Sequence, residues 1–272
     1  GVYRVSLSDD GQFNVLTHGT TLHGAQRVRD STGATVADTT PGTYYHPQSP
    51  MAKSVGIVRQ ELAKSGERGR YGIVGLGAGS LACLSEPGEA WRFFEIDPVV
   101  VGIATKSEQF TYLANCQPNA DIVIGDARLT IAKEAEQSFD LIIVDAFSSD
   151  AVPVHLMTAE ALRLYARKIK PAGVLVLHIS NRYLDLDAVL GATIREVPEL
   201  KGVVVSDDDS DGSYASTNST IAVFTRDPDM LDYFRATSGA HDLDAKSLKP
   251  WTDDYSDILG PFLSKLRLRS GG

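Results

Sequence analysis

The pattern of apolar and polar positions changes character near residue 50. Ahead of that point, short alternating stretches are broken by the turn signals Asp9-Asp10-Gly11, His18-Gly19 and Ser31-Thr32-Gly33. They predict a small antiparallel β unit over residues 1–50. So small a sheet does not stand alone, and it is expected to pack on the larger remainder of the chain. From Met51 to Lys64 the apolar positions Met51, Val55, Ile57, Val58 and Leu62 trace a helical stripe closed by Ser65-Gly66. Beyond it, apolar runs of strand length fall at Tyr71 to Gly77, Trp91 to Ile96, Asp121 to Ile124 and Phe139 to Val144, with helices near Ser80, from Pro98 and from Arg128 between them.

The rhythm continues with a helix from Thr158 to Lys170, capped by Thr158, basic in its last turn and stopped by Pro171-Ala172-Gly173. Next come a strand at Val174 to Ile179, a helix near Leu186 to Arg195, and strands at Val203 to Val205 and Thr220 to Phe224. Strands separated by helices form βαβ units rather than hairpins. The fold class expected is α/β: a doubly wound, mostly parallel, seven-stranded Rossmann-like sheet over residues 51–272, behind the N-terminal β domain.

The ends of the first four strands carry the candidate chemistry. Gly75-x-Gly77-x-Gly79 joins a strand to a helix, so backbone without side chains lets a ligand approach the turn closely. Glu95 closes the next strand about 20 residues later, where an acidic residue binds ribose hydroxyls. Gly125-Asp126-Ala127 puts a carboxylate at the end of the third strand, where methyltransferase-like folds contact adenine, and Asp126 is equally placed to cap the helix from Arg128. This favours S-adenosylmethionine over a dinucleotide. Asp145 and Asp150 then lie on one loop at the mouth of the pocket. One carboxylate takes a proton from an amine nucleophile, the other holds a cationic chain, and both oppose a sulfonium.

Charge narrows the partners. With 26 basic against 35 acidic residues the net charge is −9, which opposes a nucleic-acid backbone and suits a cationic small molecule. No apolar run approaches the roughly 18 residues of a membrane helix, so a soluble, cytoplasmic chain without membrane contact of its own is expected. Cys83 and Cys116 form neither a disulfide framework nor a zinc set, and read as small core residues in a reducing compartment. The six histidines are scattered and predict no metal site. The Asp207 to Asp211 run lacks the closing glutamate of a calcium loop and reads as a solvated turn.

Over nearly its whole length the chain resembles the polyamine aminopropyltransferases, the spermidine and spermine synthases. The likeness rests on Gly24-Ala25-Gln26, Tyr44-Tyr45-His46, the glycine turn, Glu95, Asp126-Ala127, and the pair Asp145 and Asp150. It implies transfer of a 3-aminopropyl group from decarboxylated S-adenosylmethionine to an amine, with release of methylthioadenosine. By the same resemblance Asp145 is the catalytic base. Gln26, Gly75, Gly77, Gly79, Glu95, Asp126 and Ala127 hold the nucleoside, while Tyr45, His46, Asp150 and Tyr214 line the acceptor amine. It also implies a homodimer paired through the N-terminal β regions.

Three departures stand beside the matches. Ala78 occupies the position where the family carries an aspartate for the donor's amino group, Pro47 replaces the glutamate after the tyrosine-histidine pair, and the catalytic loop is two residues longer. The segments Pro153 to Thr158, His178 to Arg182 and Trp251 to Tyr255 resemble a divergent bacterial branch fused behind membrane segments. The start at Gly1-Val2-Tyr3 fits a piece of such a protein. His178 and Asn181 end the fifth strand, where a pocket-facing and a structural role stay equally open, and His155 reads as structural. Asp253 and Asp254 either extend an acidic wall or cap a helix near Ser256. Because Ala78 relaxes the demand for a decarboxylated donor, methyl transfer or lyase chemistry in the same pocket remains the enzymatic alternative. A non-catalytic nucleoside or polyamine sensor is the alternative from another class.

Overall fold

The computed structural model describes residues 2–106, 108–146, 153–208, 210–244 and 248–270. Three antiparallel strands come first, β1 (Tyr3–Leu7), β2 (Phe13–His18) and β3 (Thr21–Arg27). Opposite Leu16 and Thr17 the β3 partners are Gly24 and Leu22, so His23 is an extra residue bulged out of the ladder. After a 3-10 turn at Thr43–Tyr45, helix α1 (Pro50–Ala63) starts from Ser49, whose hydroxyl oxygen accepts from the Ala52 N–H at 3.2 Å.

The main body runs β4 (Arg70–Val74), β5 (Ala90–Glu95), α2 (Pro98–Lys106), α3 (Tyr112–Cys116), β6 (Asp121–Ile124), α4 (Ala127–Ile131) and β7 (Phe139–Val144). It continues with α5 (Ala159–Lys168), β8 (Ile169–His178), α6 (Leu186–Thr193), β9 (Lys201–Asp207), β10 (Ser219–Thr225), α7 (Pro228–Arg235), β11 (Ala240–Asp242) and α8 (Leu259–Ser270). Its strands form one sheet in the order β11-β9-β10-β8-β7-β4-β5-β6. From β6 to β8 all neighbours are parallel, and β10, β9 and β11 join antiparallel. Consecutive residues of the central strands serve opposite cores, as a pleated strand requires. Phe94, Ile142 and Leu175 pack with Leu162 and Tyr165 of α5 and Val189 of α6, while Phe93, Ile143 and Val176 pack with Met51 and Val55 of α1 and Met230 of α7.

Among the described residues the sheet has eight strands rather than the expected seven. The additional one, β11, is a three-residue edge strand whose exposed and half-exposed residues carry no apolar run to reveal it. Pro171-Ala172-Gly173 does not lie between helix and strand: α5 ends at Lys168, and β8 begins at Ile169 and carries the three residues through a register shift against β7.

The cysteines depart from expectation more sharply. Cys83, in the 3-10 helix Ser80–Leu84 after the glycine turn, is disulfide-bonded to Cys116 at the end of α3, with Cα atoms 5.0 Å apart. A separation of 33 residues says nothing about distance in space, and α3 folds back against the turn. The pair therefore ceases to be a ground for placing the chain in a reducing compartment. No helix among the described residues is long and apolar enough to cross a membrane.

Candidate active site

In an open α/β sheet the carboxyl ends of the parallel strands face a common crevice. Here their order sets four groups in a line: Asp145 after β7, Gly75 and Gly77 after β4, Glu95 at the end of β5 and Asp126 after β6. All five residues border one cavity of about 280 Å³. The turns are packed tightly enough to dictate glycine. A Cβ on Gly75 (φ 93°) would fall 2.0 Å from the Asp145 carbonyl oxygen, and one on Gly77 (φ 53°) 2.4 Å from that of His23.

Glu95 is buried and accepts from the backbone N–H groups of Leu76 and Asp97, each at 2.9 Å. Burial pushes its carboxyl above the ordinary glutamate range, against the pull of those two donors. Asp126 caps α4 by accepting from the Leu129 N–H at 3.0 Å, and it also lines the cavity, where His155 Nε2 lies 3.1 Å from its other oxygen. His155 is thereby a wall residue as well as a structural one.

Asp145 is the most constrained group in the cavity. Its Oδ1 is 2.7 Å from His178 Nδ1, and its Oδ2 accepts from the Tyr45 hydroxyl. Behind it, His178 Nε2 is 2.8 Å from Ser180 Oγ, which accepts from the Thr220 N–H at 2.8 Å. Tyr44 stacks on the His178 ring with centroids 4.7 Å apart. Burial alone would raise the Asp145 carboxyl, but His178 and the Tyr45 hydroxyl outweigh it and leave the group below the usual aspartate range. Burial, with Asp145 adding to it, lifts both Tyr44 and Tyr45 well above an ordinary phenol.

The cavity roof comes from the N-terminal sheet and the 3-10 turn: Tyr3, Thr21, Leu22, His23, Tyr44 and Tyr45. Tyr3 stacks on His18 at 4.6 Å and is pushed up to about 12 by burial and by Asp97. Burial pulls His23 below the ordinary histidine value, with Asp145 acting the other way.

Several residues assigned by resemblance lie elsewhere. Gln26 is buried at the joint between sheet and body, its amide donating to the Asp38 carbonyl and Thr111 Oγ1 and accepting from the Thr111 N–H. His46 hydrogen-bonds Asp207 at 2.8 Å, away from the cavity lining, so Asp207, at the end of β9, has a protein partner rather than lying in a solvated turn. Tyr214 is exposed beside Phe13, with its carbonyl accepting from the Thr43 N–H. Gly79 (φ 85°) faces Leu113, not the cavity. Asp253 neither extends an acidic wall nor caps a helix near Ser256: it binds Arg128 through two 2.6 Å contacts and accepts from Thr158. Asp150 lies outside the described residues. Tyr3 and His23 carry no motif that marks them as cavity residues, Tyr44 enters only as part of the Tyr44-Tyr45-His46 segment without a role of its own, and the bulge at His23 has no signal in the chain beyond the adjoining Gly24.

A curated polyamine aminopropyltransferase of Vibrio vulnificus is 40% identical over 111 residues, covering 38% of this chain and 35% of that enzyme. The polyamine aminopropyltransferases are the family this chain resembles. The match spans about a third of that relative's length, and no family model matches the chain. In fold the likeness to the group is wider. A probable spermidine synthase from Corynebacterium glutamicum superposes with a TM-score of 0.62 at 14% identity, over 94% of this chain and 95% of that one. The spermidine synthase of Thermotoga maritima gives a TM-score of 0.50 at 17% identity, over 97% and 87%.

Proposed function

We propose that the chain is an aminopropyltransferase-like enzyme that moves a three-carbon amino group from an S-adenosylmethionine-type sulfonium to an amine and releases methylthioadenosine. The observation that carries this reading is Asp145, a carboxyl group buried at the cavity wall and fixed on both oxygens by Tyr45 and His178. Glu95 receives the ribose hydroxyls, and Asp126 with Ala127 the adenine edge. Gly75 and Gly77 leave room for the sulfonium arm to cross towards Asp145.

Asp145 acts first as a fixed negative charge. An ammonium and a sulfonium held in one closed cavity repel each other, so the acceptor favours its neutral form there. As the amine nitrogen bonds to the carbon next to sulfur, the carbon–sulfur bond breaks and its electron pair stays on the thioether. The proton that nitrogen sheds passes to Asp145. Tyr45 and His178 hold the carboxylate in line, which is the preorganisation such a displacement needs.

Incubating the purified chain with adenosylmethionine, or its decarboxylated form, and a panel of di- and polyamines tests the reading. Methylthioadenosine should appear by mass spectrometry only when an amine is present. Adenosylhomocysteine as the nucleoside product would replace the proposal with methyl transfer.

A further inference from the structure

Asp145 is held from a part of the sheet that takes no share in the line of strand ends. His178 is the last residue of β8, and its ring reaches Asp145 with Nδ1 2.7 Å from Oδ1. An ionised carboxylate only accepts hydrogen bonds, so whenever Asp145 is ionised the hydrogen of that contact lies on Nδ1. This limits what the ring can do. With a hydrogen already on the side facing the carboxylate, the imidazole has no lone pair there with which to relieve Asp145 of a proton. It orients the base and does not relay for it.

The group that orients the ring is fixed in turn by β10. The Ile179 N–H donates to the Thr220 carbonyl at 2.9 Å, which carries the antiparallel β8–β10 ladder one residue past His178. The Thr220 N–H goes to Ser180 Oγ at 2.8 Å, so a side chain stands where a regular ladder has a backbone carbonyl. The same oxygen lies 2.8 Å from His178 Nε2. A hydroxyl suits this place because, by turning its hydrogen, it donates to a bare Nε2 or accepts from Nε2–H, and keeps the Thr220 bond in both cases. With Tyr44 stacked on its face, the His178 ring is fixed at both nitrogens and from one side, and the residue is only 5% exposed.

We propose that Ser180 is a positioning residue for the transfer: tied to the end of the β8–β10 ladder, its hydroxyl holds the His178 ring so that Nδ1–H stays on Asp145 Oδ1 and the carboxylate keeps the attitude in which it receives the amine's proton. This rests on the functional reading above. Ser180 lies outside the cavity lining and acts only through His178. The antiparallel end of the sheet thereby steadies chemistry placed on the parallel strands.

Ser180→Ala takes this partner from Nε2 and frees the ring to turn. With saturating donor and amine, kcat for methylthioadenosine formation should fall about tenfold or more, on the scale of a reacting group set slightly out of place. KM for the donor and the affinity for methylthioadenosine should stay close to wild type. Among the described residues the titratable groups facing Asp145 are Tyr44 and Tyr45 from the 3-10 turn, His23 from β3 and His178 from β8. Because His178 helps to hold the carboxyl low, loosening it should move the acid limb of kcat to higher pH, by less than about one unit. Ser180→Thr, which keeps the hydroxyl, should restore both rate and limb. Nitrogen-15 NMR of the histidine-labelled chain, with His178 assigned through His178→Asn, should show Nδ1 protonated at neutral pH in the wild type. The assignment is overturned by an unchanged kcat and limb in Ser180→Ala, by a Ser180→Thr no faster than Ser180→Ala, by a bare Nδ1, or by a loss of rate matched by losses of nucleoside affinity and thermal midpoint. If the wild type forms no methylthioadenosine with any donor and amine, the functional reading itself fails and this inference falls with it, a result distinct from an active wild type beside an unchanged Ser180→Ala.

Discussion

The floor and the roof of the cavity are built by different physics. The floor is the set of carboxyl ends of β7, β4, β5 and β6, whose spacing and direction come from hydrogen-bonded parallel strands buried on both sides. The roof is a three-stranded sheet with a bulge and a 3-10 turn, held down by a small apolar joint of Leu16, Ala78, Phe110 and Tyr112 and by the bonds of Gln26 to Thr111. On the proposed reading the chemistry belongs to the floor, while the roof, whose ladder slips by one residue at His23, closes the cavity above it.

The largest effect should come from the floor. Asp145→Asn keeps the volume and removes the charge, so turnover to methylthioadenosine should fall by about a thousandfold, within the usual range for a positioned base. Methylthioadenosine binding, measured by titration, should change little because the proposed nucleoside contacts lie at the ends of β5 and β6. Unchanged turnover would remove Asp145 from the chemistry and reduce the floor to a binding surface.

Next in size is the tether between the two regions. The disulfide closes a loop of 33 residues between the turn after β4 and α3, beside the segment on which Gln26 anchors the roof. By chain entropy such a link is worth about 3–4 kcal/mol. Cys116→Ser, or reduction, should lower the thermal midpoint by roughly 10 °C, on the order expected for that loss in a domain of this size. A midpoint insensitive to reductant would mean that the roof is held without the link.

Gln26→Leu separates the two accounts of that residue. If Gln26 is a structural clamp, the substitution strands the Asp38 carbonyl and the Thr111 N–H and costs about 2–3 kcal/mol of stability by denaturant titration. If it contacts the nucleoside, stability holds and methylthioadenosine affinity falls instead. The contrast also explains what was legible in the chain. On a parallel strand the residue after the last apolar position faces the crevice by construction, so Glu95, Asp126 and Asp145 were readable from pattern alone. On the roof, direction depends on where a register slips. Gln26 and His46 point into protein contacts, while His23 and Tyr45 border the cavity and the ladder slips by one residue at His23. Asp253 was unreadable for a related reason, since its partner Arg128 is 125 residues away. Likewise β11 had neither length nor apolar character to announce it.

The smallest effect probes a contact that crosses from roof to floor at the reacting end, Tyr45 to Asp145. Because the folded carboxyl lies below its unfolded value, Asp145 contributes stability that is present above the unfolded pKa and is lost as pH falls through the folded one. The same ordering keeps it ionised, hence active, into the acid range. Tyr45→Phe removes one of the groups that hold it low, while His178 remains. The acid limb of the kcat profile should therefore move to higher pH by less than about one unit, equivalent to about 1 kcal/mol, with the plateau rate reduced severalfold at most. A limb that stays in place while the plateau collapses would instead make the Tyr45 hydroxyl a participant in the transfer, and would move part of the chemistry from the floor to the roof.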